Sequence, residues 1–160
     1  MKILVLQLRR IGDLILTAPA LLALKESLPE AHITLAIQDG CRELLPALDF
    51  VDDTLVYNRK ERNALLWWRM VFSCFDVCLD FTGNDRSALF SVLSKSPKRV
   101  AFQAIQKSPM RAVFYNSFVD SPARQSPHRA RLIWLEPRNG ARTSVRNRIA
   151  EFIPTALSFG

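Results

Sequence analysis

The chain has 160 residues, 49% hydrophobic and 23% charged, with a net charge of +7. Those values are ordinary for one soluble domain with a full core, and they exclude a disordered or low-complexity polymer. The positive balance favours an anionic partner, whether nucleic acid, phosphorylated sugar or lipid surface, without choosing among them.

The pattern begins with a near-continuous apolar strand over Lys2–Leu8, a turn over Arg9–Gly12, and an apolar helix opened by Asp13. A buried strand that feeds straight into an apolar helix is how a parallel sheet with both faces covered starts. His32–Gln38 reads as a second strand after Pro29, and Asp39–Leu48 as a short helix or turn. Thr54–Tyr57 is a third strand, followed by a helix over Lys60–Cys74, and Asp76–Phe81 is a fourth strand. A helix over Asn84–Leu93 and strands at Arg99–Phe102 and Ala112–Val119 complete the alternation. The expected fold class is α/β, a Rossmann-like parallel sheet flanked by helices.

Right-handed crossovers place every strand-to-helix turn of such a sheet on one edge, where open α/β sheets bind ligands. That edge gathers Arg9, Arg10, Gly12 and Asp13 with Asp39, with Arg59, Lys60 and Arg62, and with Gly83, Asn84, Asp85 and Arg86. The result is a basic rim rich in hydrogen-bonding groups. Asp13 has two readings, a cap for the helix N-terminus or a general base, and residue physics weighs them evenly. Gly12 beside it is read as allowing a tight turn and close approach of a ligand. Asn84 or Asp85 is read as the cap of its own helix, with ligand contact through Arg86 as the other role.

Cys41, Cys74 and Cys78 have neither an even count nor zinc-ligand spacing, and are read as buried small apolar residues in a reduced, cytosolic setting. Ala64–Phe75 is apolar but short and interrupted by Arg69, so it is read as a helix packed on the sheet. Its second reading is contact of Trp67 and Trp68 with a membrane surface. There is no Gly-x-Gly-x-x-Gly, P-loop, Asp-x-Asp or Gly-x-Ser-x-Gly element, and His32 and His128 are isolated, so no metal site is expected.

After about Ala130 the alternation stops. Pro137, Gly140 and Pro154 interrupt the apolar groups, and Arg124, Arg129, Arg131, Arg138, Arg142, Arg146 and Arg148 outnumber Glu136 and Glu151. The expected organisation is a domain over residues 1–130 and an off-pattern, poorly structured basic tail over 131–160.

Several of these segments together resemble the family 9 glycosyltransferases, the lipopolysaccharide heptosyltransferases. The matching stretches are Leu6–Asp13, Thr17-Ala18-Pro19-Ala20-Leu21, Val51-Asp52-Asp53, Tyr57–Lys60, Asp76–Asp80, Gly83–Ala88 and Lys98–Phe102, with the tract ending in Val119 and His128. The resemblance covers the first four-fifths of the chain. It implies one half of a GT-B arrangement, with Asp13 as catalytic base and Arg9, Arg10, Gly12, Arg59, Lys60, Arg62, Asn84 and Arg86 around the acceptor. It implies an anionic glycolipid acceptor, Kdo-lipid A or a phosphorylated core, and ADP-L-glycero-D-manno-heptose as donor, with no metal or other cofactor. It also implies a setting on the cytoplasmic face of an inner membrane, with peripheral contact. The family's C-terminal donor domain is not recognisable in the sequence, so the expectation is a truncated form, inactive alone. A basic nucleic-acid-binding module and a non-functional remnant are the alternatives.

Overall fold

In the computed structural model, residues 1–60 and 63–119 are described. Arg62, His128 and the expected tail over 131–160 lie outside them.

Six parallel strands form one sheet in the order β3-β2-β1-β4-β5-β6. They are β1 (Lys2–Gln7), β2 (His32–Gln38), β3 (Asp53–Tyr57), β4 (Val77–Asp80), β5 (Lys98–Phe102) and β6 (Ser117–Val119). The helices are α1 (Ile11–Ser27), α2 (Ala64–Phe72), α3 (Asp85–Leu93) and α4 (Pro109–Ala112). 3-10 segments over Asp39–Ala47 and Gln103–Lys107 follow β2 and β5. The α/β, Rossmann-like expectation is correct.

β1 and β2 are apolar at nearly every position because both faces of the sheet are covered. On one face Ile3, Val5, Ile33, Leu35, Val77 and Leu79 pack under α1 and the Asp39–Ala47 segment. On the other Leu4, Leu6, Ala36, Leu55 and Cys78 pack under α2 and α3, around the fully buried Phe90. Phe90 meets Tyr57 and Trp67 edge-on, at ring-centroid distances of 5.5 and 4.8 Å. Away from the ligand edge, Asp52 accepts from the Ile33 N–H and pairs with Lys25 at 2.8 Å, pinning α1 and β2 to the start of β3.

Three boundaries differ from the sequence reading. α1 starts at Ile11 with Arg10 at its N-cap, so Asp13 lies inside the first turn and the capping reading fails. The helix after β3 is shorter than expected. Asn58 and Asn63 close the preceding loop on each other, the Asn58 N–H donating to Asn63 Oδ1 and Asn63 Nδ2 to the Asn58 carbonyl. The stretch from Ala112 is not one strand: Pro109 opens α4, a turn follows, and pairing resumes only at Ser117. Cys41 and Cys78 are buried as expected, but Cys74 is exposed, at φ +50° in the turn that ends α2.

Candidate active site

The strand order reverses between β1 and β4. From β1 the chain passes to α1 on one face, and from β4 to α3 on the other, so the two turns leave a crevice at the carboxyl end of the sheet.

The β4 turn is built on a buried carboxylate. Asp80 ends the strand 3% exposed, and its Oδ1 accepts the N–H groups of Thr82 (2.7 Å) and Gly83 (3.0 Å). Its Oδ2 accepts the hydroxyl of Tyr115, which ties the turn to the segment before β6. Burial pushes the Asp80 carboxyl above the usual carboxylate range, against the bonds that favour its charge. Burial and the neighbouring Asp80 charge raise the Tyr115 phenol as well. Gly83 takes φ +66°, and a Cβ there would meet Ile105 Cδ1 at 2.8 Å, so the turn favours glycine.

The β1 turn is bolted to this frame. Thr82 Oγ1 accepts the Leu8 N–H at 2.7 Å and donates to the Leu6 carbonyl at 3.2 Å. Arg9 donates from Nε and Nη2 to the Thr82 carbonyl at 3.0 and 2.8 Å. Two of its donors are therefore spent within the protein, and its part in the crevice is chiefly to join the two turns. Arg10 is exposed and makes no side-chain cap bond. Gly12 lies in α1 with nothing within 4 Å of a Cβ and no positive φ; it leaves open space beside Asp13 but is not needed for a tight turn.

Asp13 is half-buried on the α1 side of the crevice. Its carbonyl accepts from Gln7 Nε2 (3.0 Å) and Thr17 Oγ1 (2.8 Å), while Gln7 Nε2 also bonds Thr17 Oγ1 at 2.6 Å. This clamp fixes the first turn of α1 to the end of β1. Next to it the Cys41 thiol donates to the Arg9 carbonyl at 3.5 Å. Burial, with the Asp13 charge nearby, raises the Cys41 thiol, so Cys41 is a packing residue rather than a nucleophile.

The opposite wall is α3. Asn84 is its N-cap, in a capping box with Ser87: Asn84 Oδ1 accepts the Ser87 N–H at 2.8 Å and Ser87 Oγ accepts the Asn84 N–H at 3.0 Å. The capping reading of Asn84 is correct, and its Oδ1 is committed to that cap. Arg86 lies over the Tyr57 ring, 5.0 Å from the centroid, which orients its guanidinium at the rim. Asp85 is engaged by Arg111 at 2.5 Å. Arg59 and Lys60 are exposed after β3, two strands from β1 and thus about 10 Å away along the edge. Arg9, Arg10, Gly12 and Asp13 thus stand at the β1 turn and Asn84 at the β4 turn, while the Arg86 guanidinium reaches to Tyr57 at the end of β3, where Arg59 and Lys60 follow.

A groove of about 290 Å³ lies elsewhere, beside edge strand β3, and contains Arg42 and Arg69. These cations are already paired with Asp39 and Asp53, so the crevice is the better candidate. Among the described residues no group of His, Cys, Asp and Glu could hold a metal ion.

The sequence reading gave no site role to Asp80, Thr82 or Tyr57. An aspartate at the end of an apolar strand, two residues before Thr-Gly, is the local signal for such a turn. The stacking of Arg86 on Tyr57 joins residues 29 apart and has no local signal.

No protein-family model and no curated protein sequence matches the chain. Solved structures do. The E. coli heptosyltransferase WaaC with ADP superposes with a TM-score of 0.66 at 16% identity, over 94% of this chain and 46% of that one. A family 9 glycosyltransferase from Veillonella parvula DSM 2008 gives 0.65 at 18%, over 94% and 40%. The E. coli ADP-heptose lipopolysaccharide heptosyltransferase II gives 0.63 at 21%, over 78% and 36%. The chain spans less than half the length of these structures, and over that span its fold is the α/β fold found in heptosyltransferases.

Proposed function

We propose that this chain is the acceptor-side half of a family 9 glycosyltransferase of the ADP-heptose:lipopolysaccharide heptosyltransferase type. The observation that supports the reading is the crevice at the β1–β4 reversal, in a fold shared with heptosyltransferases, with Asp13 in the turn after β1 and Arg86 in the first turn of the helix after β4. An anionic sugar, Kdo on lipid A or a phosphorylated core sugar, fits there, because guanidinium groups match carboxylate and phosphate oxygens. Arg10 and Arg86 make that contact, with the free Nη1 of Arg9 behind them and Arg59 and Lys60 further along the rim. Arg62 follows them in sequence, outside the described residues.

In the complete reaction Asp13 takes the proton of the acceptor hydroxyl as its oxygen attacks the anomeric carbon. The bond to the diphosphate breaks on the opposite face, and ADP leaves with its electron pair. No metal is needed by these residues. Residues 1–130 are the acceptor domain, and the donor is held by a second domain of GT-B type. The setting is the cytoplasmic side of the membrane that carries the acceptor.

Titration calorimetry with free Kdo tests the acceptor reading. Saturable binding is expected, weakened about tenfold or more in Arg10→Ala and in Arg86→Ala, since each removes a charge-assisted hydrogen bond. Asp13→Asn is expected to bind within about threefold of the parent, because a base contributes in the transition state rather than in ground-state binding. Binding that ignores both arginine substitutions overturns the proposal.

A further inference from the structure

We propose, on the reading of Asp13 as the base, that Gln7 and Thr17 are its positioning residues: their clamp on its backbone sets where its carboxylate stands in the crevice. By pattern Gln7 is out of place. Ile3, Val5 and Gln7 share the face of β1 that lies under α1, and the first two are buried apolar residues, as a covered layer favours. Gln7 is 2% exposed, and its Oε1 is buried with no partner among the described residues. A buried acceptor left unpaired costs stability, which an apolar side chain of the same shape avoids. What the amide supplies lies at its other end. Nε2 donates to the Asp13 carbonyl at 3.0 Å and to Thr17 Oγ1 at 2.6 Å, and Thr17 Oγ1 donates to that same carbonyl at 2.8 Å. The carbonyl can only accept, which fixes the amide in this orientation. A local rule broken at a cost, beside a ligand edge, marks a place where function outweighs stability.

The segment that carries Asp13 needs such a hold. Pro19 stands inside α1 and has no N–H for the Ile15 carbonyl, so the helical ladder is weakened between the turn of Asp13 and the rest of the helix. Arg10 at the N-cap adds no side-chain bond, and Ile11, Ile15 and Leu16 are exposed on the outer side of these turns. Leu14 is buried against the sheet, but apolar burial is non-directional. Hydrogen bonds to one carbonyl fix the rotation of the turn, and with it the direction in which Asp13 points. A base acts only within hydrogen-bond reach of the proton it takes, so this direction decides its use.

Gln7→Met keeps the shape of the side chain and removes the donors together with the unpaired acceptor. Its melting temperature is expected to lie within about 3 °C of the parent's, because the two changes offset each other. Amide hydrogen exchange of the ligand-free chain is expected to quicken by about tenfold or more at Asp13–Thr17, and to stay unchanged at Leu21–Leu24 on the far side of Pro19. The Asp13 ¹³Cγ resonance is expected to broaden or split. Thr17→Val is expected to act in the same way, while Thr17→Ser, which keeps the hydroxyl, behaves as the parent. Combining Gln7→Met with Thr17→Val adds little, since the two residues form one clamp. Unchanged exchange at Asp13–Thr17 with an unchanged Asp13 resonance in Gln7→Met overturns the proposal. So does faster exchange throughout α1 and the sheet, which would make Gln7 a stability residue alone. These readouts need no ligand, so their outcome is separate from that of the Kdo titration.

Discussion

Asp80→Ala lowers the unfolding free energy by about 3–5 kcal/mol, a loss expected when one side chain leaves three donors without a partner, at about 1–3 kcal/mol each before relaxation. The donors are the N–H groups of Thr82 and Gly83 and the Tyr115 hydroxyl. Asp80→Asn keeps an acceptor for the two amides and is expected to cost about 1 kcal/mol or less. The difference is pH-dependent with a definite sign. The folded-state pKa of Asp80 is raised, so the native chain is favoured by protonation, and that contribution is lost as pH rises from the ordinary carboxylate range through the folded value. The asparagine variant carries no such loss, so its stability relative to the parent improves over that window. Urea denaturation of the three proteins between pH 3.5 and 7.5 measures both effects. An alanine variant as stable as the parent contradicts the role given to Asp80.

Phe90→Ala is expected to cost a similar amount, about 3–5 kcal/mol, because an aromatic side chain fully buried between two layers leaves a cavity its neighbours fill only in part. Phe90 is 0% exposed and is the ring against which Tyr57 and Trp67 pack. Tyr57 supports Arg86, so the loss is expected to reach the crevice: Kdo binding weakens even where the variant remains folded. Phe90→Leu retains most of the volume and is expected to recover more than half of the stability. Thermal melts with Trp67 fluorescence check this, and a Phe90→Ala variant within 1 kcal/mol of the parent contradicts the packing described.

The sheet was readable because its signal is local. β1 and β2 are near-continuous apolar runs of the right length, as expected of a parallel sheet with both faces covered. The position of the ligand edge follows from the same alternation. Local pattern failed where a partner distant in sequence decides the outcome. Val113, Phe114 and Tyr115 look like strand, yet Tyr115 is placed by a hydrogen bond to Asp80, 35 residues earlier, and the strand begins only at Ser117. Arg9 looks like a free cation at the rim, but the Thr82 carbonyl, 73 residues away, takes two of its donors. Gly12 and Gly83 show the limit from the other side. Both follow a strand, but only Gly83 has a backbone angle that L side chains rarely adopt, in the turn held by Asp80, and only there would an added Cβ meet a neighbour, Ile105.

The account turns on whether a negatively charged sugar enters at the β1–β4 reversal. Backbone amide shifts of the ¹⁵N-labelled chain, followed while Kdo is added, answer this residue by residue. Saturating changes confined to Arg9–Leu14, Tyr57–Lys60 and Thr82–Ser87 are the expected result, with the start of β3 at Asp53 unmoved. Changes clustered anywhere else on the chain, or none at millimolar Kdo, would contradict it.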